Sequence, residues 1–160
     1  MENAYPPSVA KVVHALDGYQ VRSKVVVLAE STRTAVEAAA AIGCQVAEIA
    51  KSIVFSGKAT AKAVLVVASG TNRIDENLVA ARVGEPIVKA DADYVREKTG
   101  YVIGGVPPTG HLNAVQVLVD EDLLQFKSIW AAAGSPYAVV NLTPEELLRV
   151  SGGIVAKVKK

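Results

Sequence analysis

The chain has 160 residues, 51% of them hydrophobic, with 17 basic against 16 acidic side chains and a formal net charge of +1. That length carries one substantial core and is short for two domains, and the charge balance excludes bulk electrostatic attraction as a route to nucleic acid. A single cysteine, Cys44, excludes an intrachain disulfide and any multi-cysteine zinc site. No run of eighteen apolar residues occurs and the start, MENAYPPSVAKVV, lacks a signal pattern, so a soluble, cytoplasmic protein with no membrane attachment is expected.

In chain order, PPSVAKVVHALDG predicts a first helix with Ser8 as N-cap and Gly18 as its end. The unbroken run VVVL at 25–28 predicts a strand buried on both faces. Thr34 and Glu37 form a capping-box pattern, so an alanine-rich helix should begin there and stop at Gly43. Val46, Ile49 and Ala50 recur at helical spacing, which predicts a short helix over 45–51 with Lys51 near its C-terminal end. SIVFSG and AKAVLVVASG then predict a hairpin around SGKATAK.

Asp75 and Asp91 are placed to cap two further helices that end at Gly84 and Gly100, with PIVKA as a short strand between them. AVQVLVD, a helical turn at DEDLLQF, the strand SIWAAA and the strand AVVNL follow. A last helix opens with Thr143 as cap, Pro144 as first helical residue and Glu146 as reciprocal partner. Helices and strands alternate irregularly with a hairpin among them, which predicts a single α+β domain with a mixed, curved central sheet.

No glycine-rich dinucleotide fingerprint follows a strand, and GTNRIDEN lacks the lysine of a phosphate-binding loop, so no nucleotide cofactor is expected. His14 and His111 are the only histidines, without a nucleophile elbow or a helical ligand pair. Neither a serine-hydrolase triad nor a bound metal is expected. Two features retain chemical interest. Lys51 has an ordinary explanation, a cation at a helix C-terminus with its stem over apolar surface, and a functional one, a charge at the mouth of a pocket. The loop Gly104–Gly110 combines glycines, which permit close backbone approach, with Pro107 and Pro108, which stiffen it. It serves equally as a rigid turn or as a backbone clamp.

The segments IAKSIVF, GTNRIDENLVAA and GYVIGGVPPTGH together resemble the YbaK and prolyl-tRNA-synthetase-associated editing domain family, over roughly residues 25–150. The resemblance implies a sheet curling toward a half barrel with its pocket on the open side, and hydrolysis of mischarged aminoacyl-tRNA. It implies that Lys51 is the catalytic or substrate-positioning lysine, and that Gly104 and Pro108 belong to a glycine-xxx-proline loop around the aminoacyl ester. Gly105 would help orient the ester carbonyl, and His111 would face the pocket or tie the loop in place. Asp120 matches an acidic family position, although capping EDLLQF would account for it equally. Ser31, Thr32 and Thr34 precede a helix beside the implied pocket, so one hydroxyl is expected to touch substrate while another caps.

Family members specialised for cysteine carry a tyrosine and a histidine-aspartate-proline run where this chain has VVVLAESTRT. Alanine, cysteine, serine and threonine therefore all stay open as the residue removed, with tRNA-Pro as the implied carrier and an aminoacyl-tRNA synthetase as a further partner. Lys58, Lys62, Lys157, Lys159 and Lys160 offer phosphate contacts or a solvated rim. A non-catalytic module that binds a tRNA end or a synthetase, and a small-molecule binding domain, are the competing expectations.

Overall fold

A computed structural model describes residues 5–22 and 25–160. The first four residues, part of the start read above for a signal, lie outside that range, as do 23 and 24. Five α-helices and eight strands follow in order: α1 (Pro7–Gly18), β1 (Val25–Val27), α2 (Ala35–Ile42), β2 (Ile49–Gly57), β3 (Ala63–Ser69), α3 (Glu76–Val83), β4 (Ile87–Lys89), α4 (Ala92–Thr99), β5 (Gln116–Asp120), β6 (Ile129–Ala132), β7 (Ala138–Leu142), α5 (Pro144–Ser151) and β8 (Ile154–Ala156). They build one open, mixed sheet in the order β1-β7-β6-β2-β3-β5-β8, with β4 also paired to β2.

The predicted hairpin forms the middle of this sheet, with β2 and β3 antiparallel from Ala50↔Ser69 to Ser56↔Ala63. Every residue of β3 is buried, because each face of the strand meets its own apolar cluster. Leu65 and Val67 pack with α1 and α4 residues such as Val12, Leu16 and Val95. Val64, Val66 and Ala68 pack with Val79 of α3 and with Val158. A smaller cluster joins Ala38 and Ala39 of α2 to Ile49 of β2, with Cys44 and Trp130 packed on it. Small alanine side chains bring α2 close to the strand.

The caps form largely as the sequence predicts. Thr34 and Thr143 both make full capping boxes, with Glu37 and Glu146, and Gly43, Gly84, Gly100 and Gly152 adopt the left-handed conformation at helix ends. Thr143→Ala is expected to lower the unfolding free energy by about 1 kcal/mol, seen as a shift of the urea midpoint at unchanged slope.

Three expectations need correction. Ser8 does not cap α1: Pro6 occupies the N-cap without a side-chain bond, and a proline at the first helical position presets the backbone instead. The valines of β1 are not buried on both faces, since β1 pairs only with β7 at the sheet border and Val27 is 49% exposed. The run reflects β-propensity rather than depth. The short helix over 45–51 is a single 3-10 turn, Val46–Glu48, after which β2 begins at Ile49. A continuous partner in β3 outweighs three apolar residues at helical spacing, and Lys51 thus lies within a strand. The basic tail follows β8 and keeps Lys157, Lys159 and Lys160 exposed, as the rim reading expects. β8 runs parallel to β5, Val158 O accepts from Asp75 N, and Lys160 N donates to Arg73 O.

Candidate active site

One edge of β2 is shared by two strands. β6 pairs with its beginning, at Ile49↔Trp130 and Ala50↔Ala131, and β4 pairs with its end, from Phe55↔Lys89 to Gly57↔Ile87. Between them the sheet forks, and a cavity of about 430 Å³ occupies the fork. Residues Ile49–Val54 of β2 form its floor, Trp130, Ala131 and Ala132 of β6 one side, and Lys89 and Ala90 the other. The segment Thr32–Val36 and the loop residues Ile103, Gly104 and Val106 close it from above and below. Most of this surface is aliphatic.

Lys51 stands in the floor. It pairs with Ala68 across the hairpin, and the β3–β5 register Val67↔Val119 sets Asp120 beside Ala68. Among the described residues its ammonium has no hydrogen bond or ion pair. Burial pushes its pKa below the ordinary lysine value, while the Asp120 carboxylate acts in the opposite sense. Arg33 and Lys89 also line the cavity. Because Lys89 faces Phe55, and alternate residues of a strand share a face, Lys89 and Lys51 project from the same side of the sheet. Among the described residues, no aspartate, glutamate, histidine or cysteine lines the cavity. The walls therefore combine an aliphatic interior with three cations and no anion, an environment that takes an uncharged side chain together with an anionic group.

Of the residues singled out from the sequence, Lys51, Thr32, Thr34 and Gly104 meet at the cavity. Thr32 donates its hydroxyl to Pro136 O at 2.7 Å, which fixes the approach to α2. Gly104 has φ of +90°, and a Cβ there would lie 3.1 Å from Arg33 Cγ. This glycine is required by conformation and by closeness to the opposite wall.

Ser31, Gly105, Pro108, His111 and Asp120 do not line the cavity. Ser31 Oγ accepts from Arg33 N in a local turn. Gly105 donates its N–H to Val102 O and accepts at its carbonyl from Gly134 N. A Cβ on Gly105 would lie 2.7 Å from Ser135 Cα, so the glycine seats the loop on its neighbour. Pro108 is buried within the loop. His111 donates from Nε2 to Pro107 O at 2.7 Å, and burial lowers its pKa against that bond. It is a strut of the loop. Asp120 is fully buried and accepts from Ser69 N, Asn72 Nδ2 and Asp122 N, the last as cap of the following 3-10 turn. It stands behind the floor.

Sequence reasoning missed Arg33, Lys89, Ser52 and Trp130 as cavity residues. Arg33 adjoins the Thr34 cap, and Lys89 ends a strand pattern whose partner was not known, so their shared destination had no local signal.

Residues 29–150 match the family described as the aminoacyl-tRNA editing domain. The chain belongs to this family. Among solved structures, this editing domain superposes with a TM-score of 0.91 on one described as a candidate trans-editing enzyme for prolyl tRNA synthetase, at 44% identity over 98% of this chain and 99% of that one. YwhH of Bacillus subtilis is 35% identical over 121 residues, 76% of either chain. EbsC of Enterococcus faecalis, provisionally named a Cys-tRNA(Pro)/Cys-tRNA(Cys) deacylase, is 25% identical over 81% of this chain and 79% of its own. No helix among the described residues of the editing domain is long and apolar enough to cross a membrane.

Proposed function

We propose that the protein is a trans-editing hydrolase of the cytoplasm that deacylates mischarged aminoacyl-tRNA, removing a small residue such as alanine, cysteine, serine or threonine from tRNA-Pro. The observation that carries this is the composition of the cavity: aliphatic walls that accept a small side chain, three cations for the anionic end of the tRNA, and no carboxylate to repel it. Family membership supports deacylation. The similarity to a candidate trans-editing enzyme for prolyl tRNA synthetase supports tRNA-Pro and a synthetase partner.

The need for such an enzyme follows from energetics, since a synthetase pocket separates amino acids that differ by one methylene by only about 1–3 kcal/mol. In the proposed reaction, water adds to the ester carbonyl, the bond to the ribose oxygen breaks, and the free amino acid and the tRNA hydroxyl are released. Lys51 stabilises the developing oxyanion or holds the terminal phosphate, and the Gly104 backbone orients the ester. No side chain of the walls is placed as a general base, and the neighbouring ribose hydroxyl of the terminal adenosine activates the water. A tRNA whose terminal adenosine lacks that hydroxyl should be hydrolysed far more slowly, and undiminished hydrolysis refutes the step.

The absence of a carboxylate or imidazole from the walls among the described residues also favours a second reading, a module that binds a tRNA end without turnover. A panel of mischarged tRNAs separates the two: hydrolysis by wild type that Lys51→Ala abolishes supports the enzyme, and binding without hydrolysis supports the module. Arg33→Ala and Lys89→Ala are expected to raise KM several-fold with little change in kcat. Each should flatten the dependence of log KM on log salt by about 0.7, as for one lost contact to a single-stranded phosphate.

A further inference from the structure

The two edges of β2 differ. One is paired with β3 from Ala50 to Ser56, whereas the other meets β6 at Ile49 and Ala50 and β4 from Phe55 to Gly57. Three bonds fix which backbone groups face which edge. Ile49 O accepts from Gly70 N and Gly57 N donates to Lys62 O, both toward β3, while Val54 O accepts from Ala90 N on the other side. Backbone groups alternate along a strand, so Ser52 turns its N–H and C=O toward the forked edge, in the stretch that neither β6 nor β4 covers. Ser52 also lines the cavity. Its hydroxyl oxygen is the buried side-chain polar atom left without a hydrogen-bond partner among the described residues. Native proteins pair nearly all such groups with protein, water or a ligand, and this one borders the cavity.

An aminoacyl ester carries an amino group next to its reactive carbonyl. A carboxylate is the usual partner for an amine, and the cavity walls have none among the described residues. The hydroxyls of Thr32 and Thr34 are already engaged, with Pro136 O and with Glu37 N. We propose that Ser52 receives the α-amino group of the aminoacyl ester, its carbonyl and hydroxyl oxygens accepting hydrogen bonds from the amine. This rests on the deacylase reading above and adds the residue that reads the substrate as an amino acid ester. Neutral acceptors hold the uncharged amine, a form well populated near pH 8 because a free α-amino group has a pKa of about 7.7–8.0. The hydrogen bonds anchor one substituent of the α-carbon, leaving the other to the aliphatic wall.

The test compares Ala-tRNA with the same tRNA carrying a propionyl ester, which has the same carbon chain and no amine. Wild type should prefer the alanyl ester by about tenfold or more in kcat/KM. Ser52→Ala should lose that preference by slowing on the alanyl ester alone, while Ser52→Thr, which restores the hydroxyl, should retain it. Ser52→Ala should also melt no lower than wild type, because it removes an unpaired polar atom. A preference unchanged in Ser52→Ala, or an equal loss on both esters accompanied by a lower melting temperature, overturns the assignment. A wild type that hydrolyses neither ester overturns the deacylase reading instead.

Discussion

Lys51→Ala is expected to lower kcat/KM for deacylation by about 10²–10³-fold, the loss seen when one preorganised donor to a developing oxyanion is removed. The fold should survive, since the Lys51 side chain makes no hydrogen bond or ion pair among the described residues and alanine keeps the backbone pairing with Ala68 of β3. The pH dependence follows from the same side chain. Burial depresses its folded pKa below 10.5, so between the two values the unfolded chain binds more protons than the folded one. Stability therefore rises with pH through that window, and Lys51→Met should lack the rise. Activity should move oppositely, because the working form is the ammonium: after subtraction of spontaneous ester hydrolysis, the rate should fall on the alkaline side below pH 10.5. Lys51→Arg, if active, should move that fall upward. A Lys51→Ala enzyme as fast as wild type would leave the cavity without its proposed chemistry.

Asp120 carries the second large effect, through stability first. Its carboxylate is fully buried and receives the Ser69 and Asp122 backbone N–H groups together with the Asn72 amide. Alanine would leave the buried Ser69 N–H and the half-buried Asp122 N–H unpaired, at a cost on the order of 3 kcal/mol. Urea unfolding monitored at Trp130 measures this directly. Asp120→Asn keeps an acceptor and removes the charge, which isolates the electrostatic part. Because Asp120 opposes the effect of burial on Lys51, its neutralisation should depress the Lys51 pKa further and shift the alkaline fall of activity to lower pH. An unchanged profile in Asp120→Asn would show that the carboxylate supports the sheet alone.

The elements that the sequence disclosed were those defined by local chemistry. Thr34 with Glu37 and Thr143 with Glu146 identify helix starts from four residues each, and the left-handed glycines mark the ends. The β-rich run SIVF, followed after SGKATAK by the apolar run of β3, gave the hairpin its place. What stayed hidden depended on partners far along the chain. VVVL could not reveal that β7 covers one side of it only. The segment before Lys51 could not reveal that strand pairing would claim Ile49 and Ala50, whose spacing suits a helix. Lys51 and Gly104 were legible at the cavity through resemblance to an editing family, whereas Gly105 and His111 share the motif and serve the loop's own architecture. Arg33, Lys89 and Ser52 converge only because β4 and β6 dock on the same neighbour.

That shared docking gives one set of side chains two tasks. The two larger hydrophobic clusters lie on either side of β3, while the width of the proposed substrate chamber depends on how far β4 and β6 splay before each reaches β2. Ala50, Val54, Val95, Val106 and Ala131 belong to the main cluster and also line the cavity, so a change that widens or narrows the chamber repacks the interior as well. Under the proposed reaction, a shift in selectivity for amino acid size is therefore coupled to a shift in stability.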